Sequence, residues 1–522
     1  MDFPVAEILA RLKLAGMALG AVTAAYLVIV SVYRLWFHPL ARFPGPIANR
    51  ISWIPGGPVI RLSPNEFAFN SAQAWTDVYG HKIGRLDLEK DPIHVGAVDP
   101  VPGVSTISMA DRDNHARQRK ALSYGFSKKA LWEQESLIQH FIDLLMVRLH
   151  GFAQTPDEGF DIVKWYNFMT FDVIGDLSFG ESFGCLERGD FHFWIHLIFD
   201  AVKAGAIEQA CQGGLSKQRA DHAYSREKVM RRLQDTKSDR RDFIYYILKQ
   251  GEHYDLSQNE VIVNAALFIV ARSSTTASSL AADTNFLLKN PHTYAKAKAE
   301  VRAAFAAEDE ITVGAMDKLP YMNACLEEGL RMFPPAPIGF LRTVQAQGDV
   351  IDGHAIPGGT AVSVSTWCAS HAADNFRDPD AFIPERWMDP AYSADKKLAS
   401  QSFSLGPRGC IGKDLSYMEQ RVTLARALFN FELSLADDAR EWDTDNNMQN
   451  MKAYSTWQKP PLPVKLVDRR VPTSKYWRQK NAAAKAEGLV AVAEAVAVIV
   501  VPSEETASHK MVQTMIHKAP LI

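Results

Sequence analysis

The residues with the clearest chemical pattern form a glycine-rich loop that contains one cysteine. Residues 403–412 read Phe-Ser-Leu-Gly-Pro-Arg-Gly-Cys-Ile-Gly. The three glycines allow the backbone to lie close to a flat ligand and to adopt dihedral angles that other residues avoid. The amphipathic pattern of residues 413–433 predicts a helix, whose N-terminal N–H groups and dipole favour a thiolate at Cys410. We therefore predict a haem-ligand loop with Cys410 as the axial donor.

A buried structural cysteine is the alternative, because free cysteine is among the most buried residue types. The spacing of the neighbouring residues argues against it. With ordinary composition, the five residue types at Phe403, Gly406, Arg408, Cys410 and Gly412 should coincide at on the order of one position in ten million.

At these five positions the chain resembles the cytochrome P450 family, whose cysteine loop has the pattern FxxGxRxCxG. The resemblance implies that Cys410 is the proximal thiolate ligand of haem b and that Arg408 pairs with a haem propionate. It also implies that Phe403 packs against the proximal side of the macrocycle. A thiolate donates electron density to iron and favours O–O cleavage, which suits oxygen activation.

A basic stretch at residues 111–129 contains His115 and Arg119 at i, i+4 spacing. A solvated helical face is the default interpretation of such a charge cluster. In the family, a helix with the pattern WxxxR meets the haem propionates at this place. The resemblance therefore implies propionate contacts for His115 and Arg119, with histidine replacing tryptophan, and for Arg342, which matches another propionate-binding position.

Residues 257–290 are predicted to form one long helix, because Ser257 and Glu260 make a capping box and Pro291 follows. About 32 residues would extend roughly 48 Å, and the apolar content indicates burial. The resemblance implies that this helix crosses the oxygen side of the haem. At 100° per residue, four side chains share the face of Thr275 and are expected to line the distal pocket: Asn264, Phe268, Ala271 and Ser279.

The same helix departs from the family pattern [AG]Gx[DE]T[TS], which here reads Ala271-Arg272-Ser273-Ser274-Thr275-Thr276. In the family, the acid and the threonine relay protons during oxygen activation. The resemblance implies catalytic roles for Thr275 and Ser274, although a serine can bind water without supplying a titratable proton near neutral pH. Arg272 either reaches the pocket edge or turns toward a neighbouring helix. A Ser/Thr patch that bonds its own carbonyls is the structural alternative.

Two further motifs match the family: Glu328 and Arg331 fit ExxR, and Arg386 lies in the later PERF-like segment. An acidic and a basic residue at i, i+3 are usually a surface pair. At the family's spacing, the three residues are expected to form a buried folding clamp for the cysteine loop, with no catalytic role.

The N-terminus contains 20 residues without charge, at positions 14–33, which is enough for a transmembrane helix. A cleaved signal peptide is the alternative, but the run is longer than a usual signal segment. More basic residues follow the run than precede it, which places the larger part of the chain in the cytosol. Residues 43–46, Phe-Pro-Gly-Pro, are predicted to form a stiff hinge.

Composition limits the remaining functions. The formal net charge of -3 provides no basic field for nucleic acid. The five cysteines are odd in number and widely spaced without a CxxC pair, which indicates a reducing compartment.

We predict a mostly helical P450 fold with small β-sheets, preceded by a single transmembrane helix. The expected divisions are a membrane anchor at residues 1–36, a haem domain at 37–465 and a disordered extension at 466–522. The resemblance implies a monooxygenase of the fungal microsomal type, held in the endoplasmic reticulum membrane. It would oxidise an apolar small molecule in secondary metabolism, with electrons from an NADPH-dependent reductase. The alternative is a non-oxygenating haem protein, an isomerase, a lyase or a binder.

Overall fold

The structure is a computed structural model of the 522-residue chain. It describes residues 5–38, 61–81, 84, 86–92, 101, 103–155, 158–210, 223–234, 240–436, 439, 442 and 450–469. The predicted hinge at residues 43–46 and almost all of the predicted C-terminal extension lie outside the described residues. The chain divides into two units between Val467 and Asp468.

Helices dominate the described residues, as predicted. In chain order they are α1 (Val5–Val32), α2 (Ala72–Tyr79), α3 (Arg112–Ser123), α4 (Lys128–Glu133), α5 (Glu135–Phe152), α6 (Ile162–Phe179), α7 (Cys185–Arg188), α8 (Phe193–Ala210), α9 (Ala223–Gln234), α10 (Phe243–Tyr254), α11 (Gln258–Lys289), α12 (Pro291–Ala304), α13 (Pro320–Met332), α14 (Thr366–Ser370) and α15 (Lys413–Asn430).

The strands are short and form small sheets, which confirms the predicted fold class. They are β1 (Arg61–Ser63), β2 (Glu66–Phe69), β3 (Glu89–Lys90), β4 (Phe160–Asp161), β5 (Arg342–Thr343), β6 (Asp349–Ile351), β7 (His354–Ile356), β8 (Ala361–Val364), β9 (Phe431–Leu435), β10 (Lys452–Tyr454), β11 (Thr456–Gln458) and β12 (Pro463–Asp468). The largest sheet has the order β1-β2-β8-β5-β3, and its β2–β8 pair is parallel. β4, β12 and β9 form a second sheet, and β6–β7 and β10–β11 form hairpins.

The long helix α11 begins and ends almost where the sequence predicts. The Ser257 hydroxyl accepts a hydrogen bond from the Glu260 N–H, and the Glu260 carboxylate accepts one from the Ser257 N–H, so the predicted capping box is present. This reciprocal bonding satisfies two donors that a helix start otherwise leaves unpaired. Most of the helix is buried against α6, α13 and α15. It is therefore the central element of the core.

The helix that follows the cysteine loop is shorter than predicted. α15 ends at Asn430, whereas the sequence pattern extends it to residue 433. Residues from Phe431 onward instead form β9, which lies beside β12 in the second sheet. The tertiary strand pairing therefore decides the last three residues, because local propensity is only a weak preference.

The buried charge cluster forms as predicted. Glu328, Arg331 and Arg386 are all fully buried. Two nitrogens of Arg331 donate to the two oxygens of Glu328 at 2.9 and 3.0 Å, and Arg386 Nε donates to Glu328 Oε1 at 3.0 Å. Helix α13, which carries Glu328 and Arg331, also binds the residue just before the cysteine loop, because the Ser402 hydroxyl donates to the carbonyl of Leu330 at 2.7 Å.

The N-terminal helix matches the expected anchor in length and polarity. Residues Lys13–Phe37 form a continuous helical segment whose most apolar window has mean hydropathy 2.0 and contains no buried residue. The only other described helix of comparable length and hydropathy is α11, which is 72% buried over its most apolar window and belongs to the core. Length and composition thus make the first segment a candidate membrane span.

We expect Glu328→Gln to destabilise the fold strongly, because it removes the anion that binds buried Arg331 and one of the two anions that bind buried Arg386. Removing one partner of a buried ion pair costs about 3–5 kcal/mol. Urea unfolding monitored by circular dichroism measures the change. The matched control is Glu385→Gln, since Glu385 lies in the same segment and pairs with Lys296 at the surface. Its loss should cost about 1 kcal/mol or less. Equal effects of the two changes would contradict the proposed role of the cluster.

Candidate active site

The cysteine loop is a tight turn in which one glycine is strictly required. The Cys410 N–H donates to the Phe403 carbonyl at 2.8 Å, and the Gly409 N–H donates to the Gly406 carbonyl at 2.9 Å. Gly406 has φ +73°, and a Cβ there would lie 1.9 Å from the Tyr79 carbonyl oxygen. The expectation of special dihedral angles at all three glycines is wrong for Gly409 and Gly412, which do not have positive φ.

Cys410 is exposed on this turn, immediately before α15, whose N-cap is Gly412. Neighbouring protein atoms desolvate the thiol and raise its pKa. This rise in the pKa is opposed by a backbone hydrogen bond at Gly412 and by the positive charges of Arg272 and Arg119. The cysteine is therefore accessible to a ligand, and the nearby positive charges, which favour a thiolate, oppose the rise in its pKa without cancelling it.

Two other predicted site residues support the loop from either side. Arg119 donates from Nη1 to the Gly409 carbonyl at 2.6 Å, which joins α3 to the loop. The Phe403 ring centroid lies 5.1 Å from that of Tyr417 on α15. These contacts place both residues at the loop, while their contacts with haem stay predictions.

His115, Arg342 and Arg408 are brought together around a cavity of about 90 Å³. Arg408 donates to the Ala110 carbonyl at 2.9 Å and lies 3.5 Å from Glu89, and its buried Nη1 has no hydrogen-bond partner among the described residues. Arg342 lies over the ring of Tyr79, with its guanidinium carbon 5.1 Å from the centroid. The cavity therefore has several donors directed at a small volume.

Sequence reasoning missed one member of this group, Lys90. Its Nζ donates to the Ser108 hydroxyl at 3.0 Å. Burial, together with the neighbouring charges of Arg342 and Arg408, lowers the pKa of Lys90 to about 7. A single lysine on the two-residue strand β3 carries no sequence signal, because only the pairing of β3 with β5 brings it beside Arg342.

Basic residues outnumber the two acidic residues, Asp87 and Glu89, around this cavity. Burial lowers the pKa of His115 to about 4, with Arg408 and Arg119 as the largest charge contributions. Burial also lowers the pKa of Arg342 to about 10. Basic groups whose charged forms burial disfavours are stabilised by a bound anion. With the exposed Cys410 nearby, this donor set fits haem, which offers two propionates and an iron that accepts a soft axial ligand.

The middle of α11 opens beside two predicted residues. Ala271 is exposed although its helix is largely buried, and Thr275 and Ser274 are half-buried. The Thr275 hydroxyl donates to the carbonyls of Ala271 at 3.0 Å and Arg272 at 3.2 Å. The self-bonding arrangement weighed as the structural alternative is thus present, and the oxygen of Thr275 retains lone pairs that can accept a hydrogen bond from water.

Three other residues that were expected to line the distal pocket contact other parts of the protein instead. Asn264 donates to Gln118 at 2.9 Å and is fully buried. Phe268 packs in an aromatic cluster with Phe126 and Phe243, and Ser279 donates to Gln420 at 2.7 Å. One face of a helix about 48 Å long meets different neighbours along its length. The helical angle alone therefore does not define a pocket.

Arg272 turns toward a neighbouring helix, which was one of the two alternatives. Its Nη2 lies 2.5 Å from Oε1 of Glu419 on α15, and both side chains are buried. Adjacent contacts on the same pair of helices join Thr276 to Ser416 at 3.0 Å and Ser279 to Gln420 at 2.7 Å. The replacement of glycine by arginine thus adds a charge pair to a polar interface between α11 and α15.

The chain is similar to known proteins over most of its length. The cytochrome P450 family model matches residues 95–463. The cytochrome P450 monooxygenase aba2 of Botryotinia fuckeliana is 39% identical over 497 residues, which cover 85% of this chain and 94% of that protein. The cytochrome P450 monooxygenase astJ of Aspergillus oryzae is 39% identical over 481 residues, covering 84% and 94%. The trichothecene C-15 hydroxylase of Fusarium sporotrichioides is 37% identical over 490 residues, covering 86% and 97%.

We expect Arg408→Leu to accelerate haem loss about tenfold or more, because a hydrogen bond to a charged group is worth roughly 1.5–3 kcal/mol. Transfer of haem to an excess of a haem-scavenging protein measures the rate. Lys120→Leu is the control, since Lys120 is exposed on α3, the helix that carries His115. Indistinguishable rates of haem loss from the two variants would contradict a propionate contact at Arg408.

Proposed function

Because the chain belongs to the cytochrome P450 family and is a monooxygenase, we propose that it inserts one oxygen atom into an apolar small molecule, with electrons from an NADPH-dependent reductase. The observation that carries the proposal is the exposed Cys410 on a tight turn at the start of α15, beside a cavity rich in cations. The similarity to fungal monooxygenases, one of them named as a trichothecene hydroxylase, supports a role in secondary metabolism.

Haem b bound at Cys410 would supply the oxygen activation, because a thiolate ligand favours O–O cleavage. In this proposal the chain itself holds and orients the cofactor. Arg408, Arg342 and His115 would bind the propionates, since their donors surround one small cavity. Arg119 keeps the turn in place through the Gly409 carbonyl, and Phe403 would form the proximal packing surface.

We assign proton supply to Thr275 and Ser274, which are half-buried where α11 opens at Ala271. Thr275 uses its hydroxyl hydrogen on backbone carbonyls, so it would hold water as an acceptor. Ser274 can donate to such a water but does not ionise near neutral pH. Proton delivery would therefore depend on water that these two hydroxyl groups order, and we expect it to be slow.

We further propose that residues 1–36 anchor the protein in the endoplasmic reticulum membrane, with the haem domain at residues 37–465 in the cytosol. The support is the exposed apolar segment Lys13–Phe37 and the basic residues that follow it. An apolar substrate that partitions into the same membrane would reach such a domain at high local concentration.

We expect the reduced carbon monoxide complex to show the strongly red-shifted Soret band of a thiolate ligand, and Cys410→Ala to abolish it. With a cognate substrate and reductase, mass spectrometry should find one atom from ¹⁸O-labelled dioxygen in the product. A histidine-type spectrum, or one unchanged in Cys410→Ala, would overturn the ligand assignment. Conversion of substrate without label would instead favour the isomerase or lyase alternative, which the missing distal acid motivates.

We expect Ser274→Glu to increase the product formed per NADPH consumed, because general acid assistance is typically worth about 10²–10⁴-fold in a proton-transfer step. Ser274→Gln is the matched control, since it adds similar volume without a titratable proton. Simultaneous assays of NADPH, product and hydrogen peroxide measure the coupling. Equal coupling in the two variants would show that the lost acid does not limit the enzyme.

A further inference from the structure

Arg272 occupies the position at which the family pattern has glycine, and its guanidinium group lies near Gly412 of the cysteine loop. A Cβ built on Gly412 would lie 3.7 Å from Arg272 Nη1 and 4.0 Å from Cys410 Sγ. The guanidinium group and the cysteine sulfur are thus close to the same point above Gly412.

Glu419 is the group that makes a charge at this position tolerable. Arg272 is 7% exposed and Glu419 is fully buried. Burying an isolated charge costs several kcal/mol; a buried partner offsets part of that cost, and removing the partner leaves an uncompensated buried charge. Burial raises the pKa of Glu419, and the charge of Arg272 opposes the rise. The two residues therefore depend on each other for burial.

The two side chains of the pair are in close contact but do not form a regular bidentate ion pair. Arg272 Nε and Nη2 and both carboxylate oxygens of Glu419 make no hydrogen bond of normal geometry within the described part of the chain. The largest charge contributions at Cys410 all come from cations, namely Arg272, Arg119 and Lys413. The positive end of the pair is thus the end that acts on the sulfur.

We propose that Arg272, held by Glu419, is a positioning residue that fixes α11 against the cysteine loop and raises the reduction potential of the iron bound by Cys410. The inference rests on the proposed function, because it requires Cys410 to be the iron ligand. It assigns the arginine a task that the glycine of the family pattern cannot perform.

The sign of the effect follows from electrostatics. Reduction of ferric to ferrous iron adds one negative charge to the site, and a fixed cation nearby stabilises the reduced state. Burial reduces solvent screening, so the effect persists at physiological salt. Charge and hydrogen bonding around the axial ligand are established means by which a protein sets the potential of haem iron.

The test is a spectroelectrochemical titration of the purified holoprotein, without oxygen and without substrate. Arg272→Gln should lower the equilibrium constant for reduction at least tenfold, which is 59 mV for one electron. Glu419→Gln leaves the cation uncompensated and should raise this constant. The equilibrium constant for reduction of the double variant should also fall below that of the wild type, but by less than that of Arg272→Gln. The double variant loses the nearer positive charge of the arginine together with the more distant negative charge of the glutamate. Arg272→Lys should retain most of the wild-type potential.

Opposite shifts distinguish an electrostatic role from a structural one, because a packing defect would act in the same direction in both single variants. Glu308→Gln is the control for lost buried pairing, since Glu308 binds Arg426 on the same helix α15 and both residues are buried. It should leave the potential unchanged. If a single variant fails to retain haem, the comparison of the double variant with the wild type decides the question.

The result also separates this inference from the proposed function. The inference, but not the proposed function, would be overturned if the wild type shows the thiolate signature while the equilibrium constants for reduction of the two single variants shift in the same direction or by less than threefold. A wild type without that signature would overturn both. The potential is measured without turnover, so a haem-thiolate protein that does not oxygenate its substrate would still show the opposite shifts.

Discussion

The buried carboxylate of Glu328 is the contact on which the haem-binding region depends. Its two oxygens accept five hydrogen bonds: two from Arg331 and one each from Arg386, Trp387 and the Ile383 N–H. This anion therefore compensates Arg331 and, together with the buried Asp395, also Arg386. Arg331 in turn donates to the Ser370 and Pro379 carbonyls, so segments far apart in sequence are joined at one point. Ser402 donates a hydrogen bond to Leu330 on α13, the helix that carries Glu328. This contact fixes the chain just before the cysteine loop to the same helix.

The long helix α11 provides the second constraint, and it explains why one helix can serve several purposes. Its first turns bind α3, where Asn264 meets Gln118, and its middle opens at Ala271. Beyond that point it joins α15 through Arg272 and Ser279. Helices α3 and α15 pack against different parts of α11. The opening at Ala271 is therefore limited to the few residues that these helices do not cover.

The sequence alone predicted what depends on local chemistry. The capping box and the cysteine turn are combinations of residue types at short spacing, whereas the clamp that joins Glu328 to Arg386 was predicted from the resemblance to the family. It could not predict which long-range neighbour a side chain meets. Phe268 was expected at the pocket but lies among other aromatic rings, and Lys90 was missed because only strand pairing brings it to Arg342. The partner of Arg272 required the packing of α15 against α11.

Compared with the family pattern, this chain lacks a titratable acid at one position of α11 and has a permanent positive charge at another. Position 274 loses an acid that could exchange protons, while position 272 gains a cation that stays charged. Glu419 does not replace the lost acid, because its carboxylate is buried and its ionised form compensates Arg272. On the assignments proposed above, a raised potential speeds the arrival of electrons, whereas two hydroxyl groups limit the arrival of protons. Electrons that arrive faster than protons are lost to hydrogen peroxide, so the substitutions at 272 and 274 should affect coupling together and not independently.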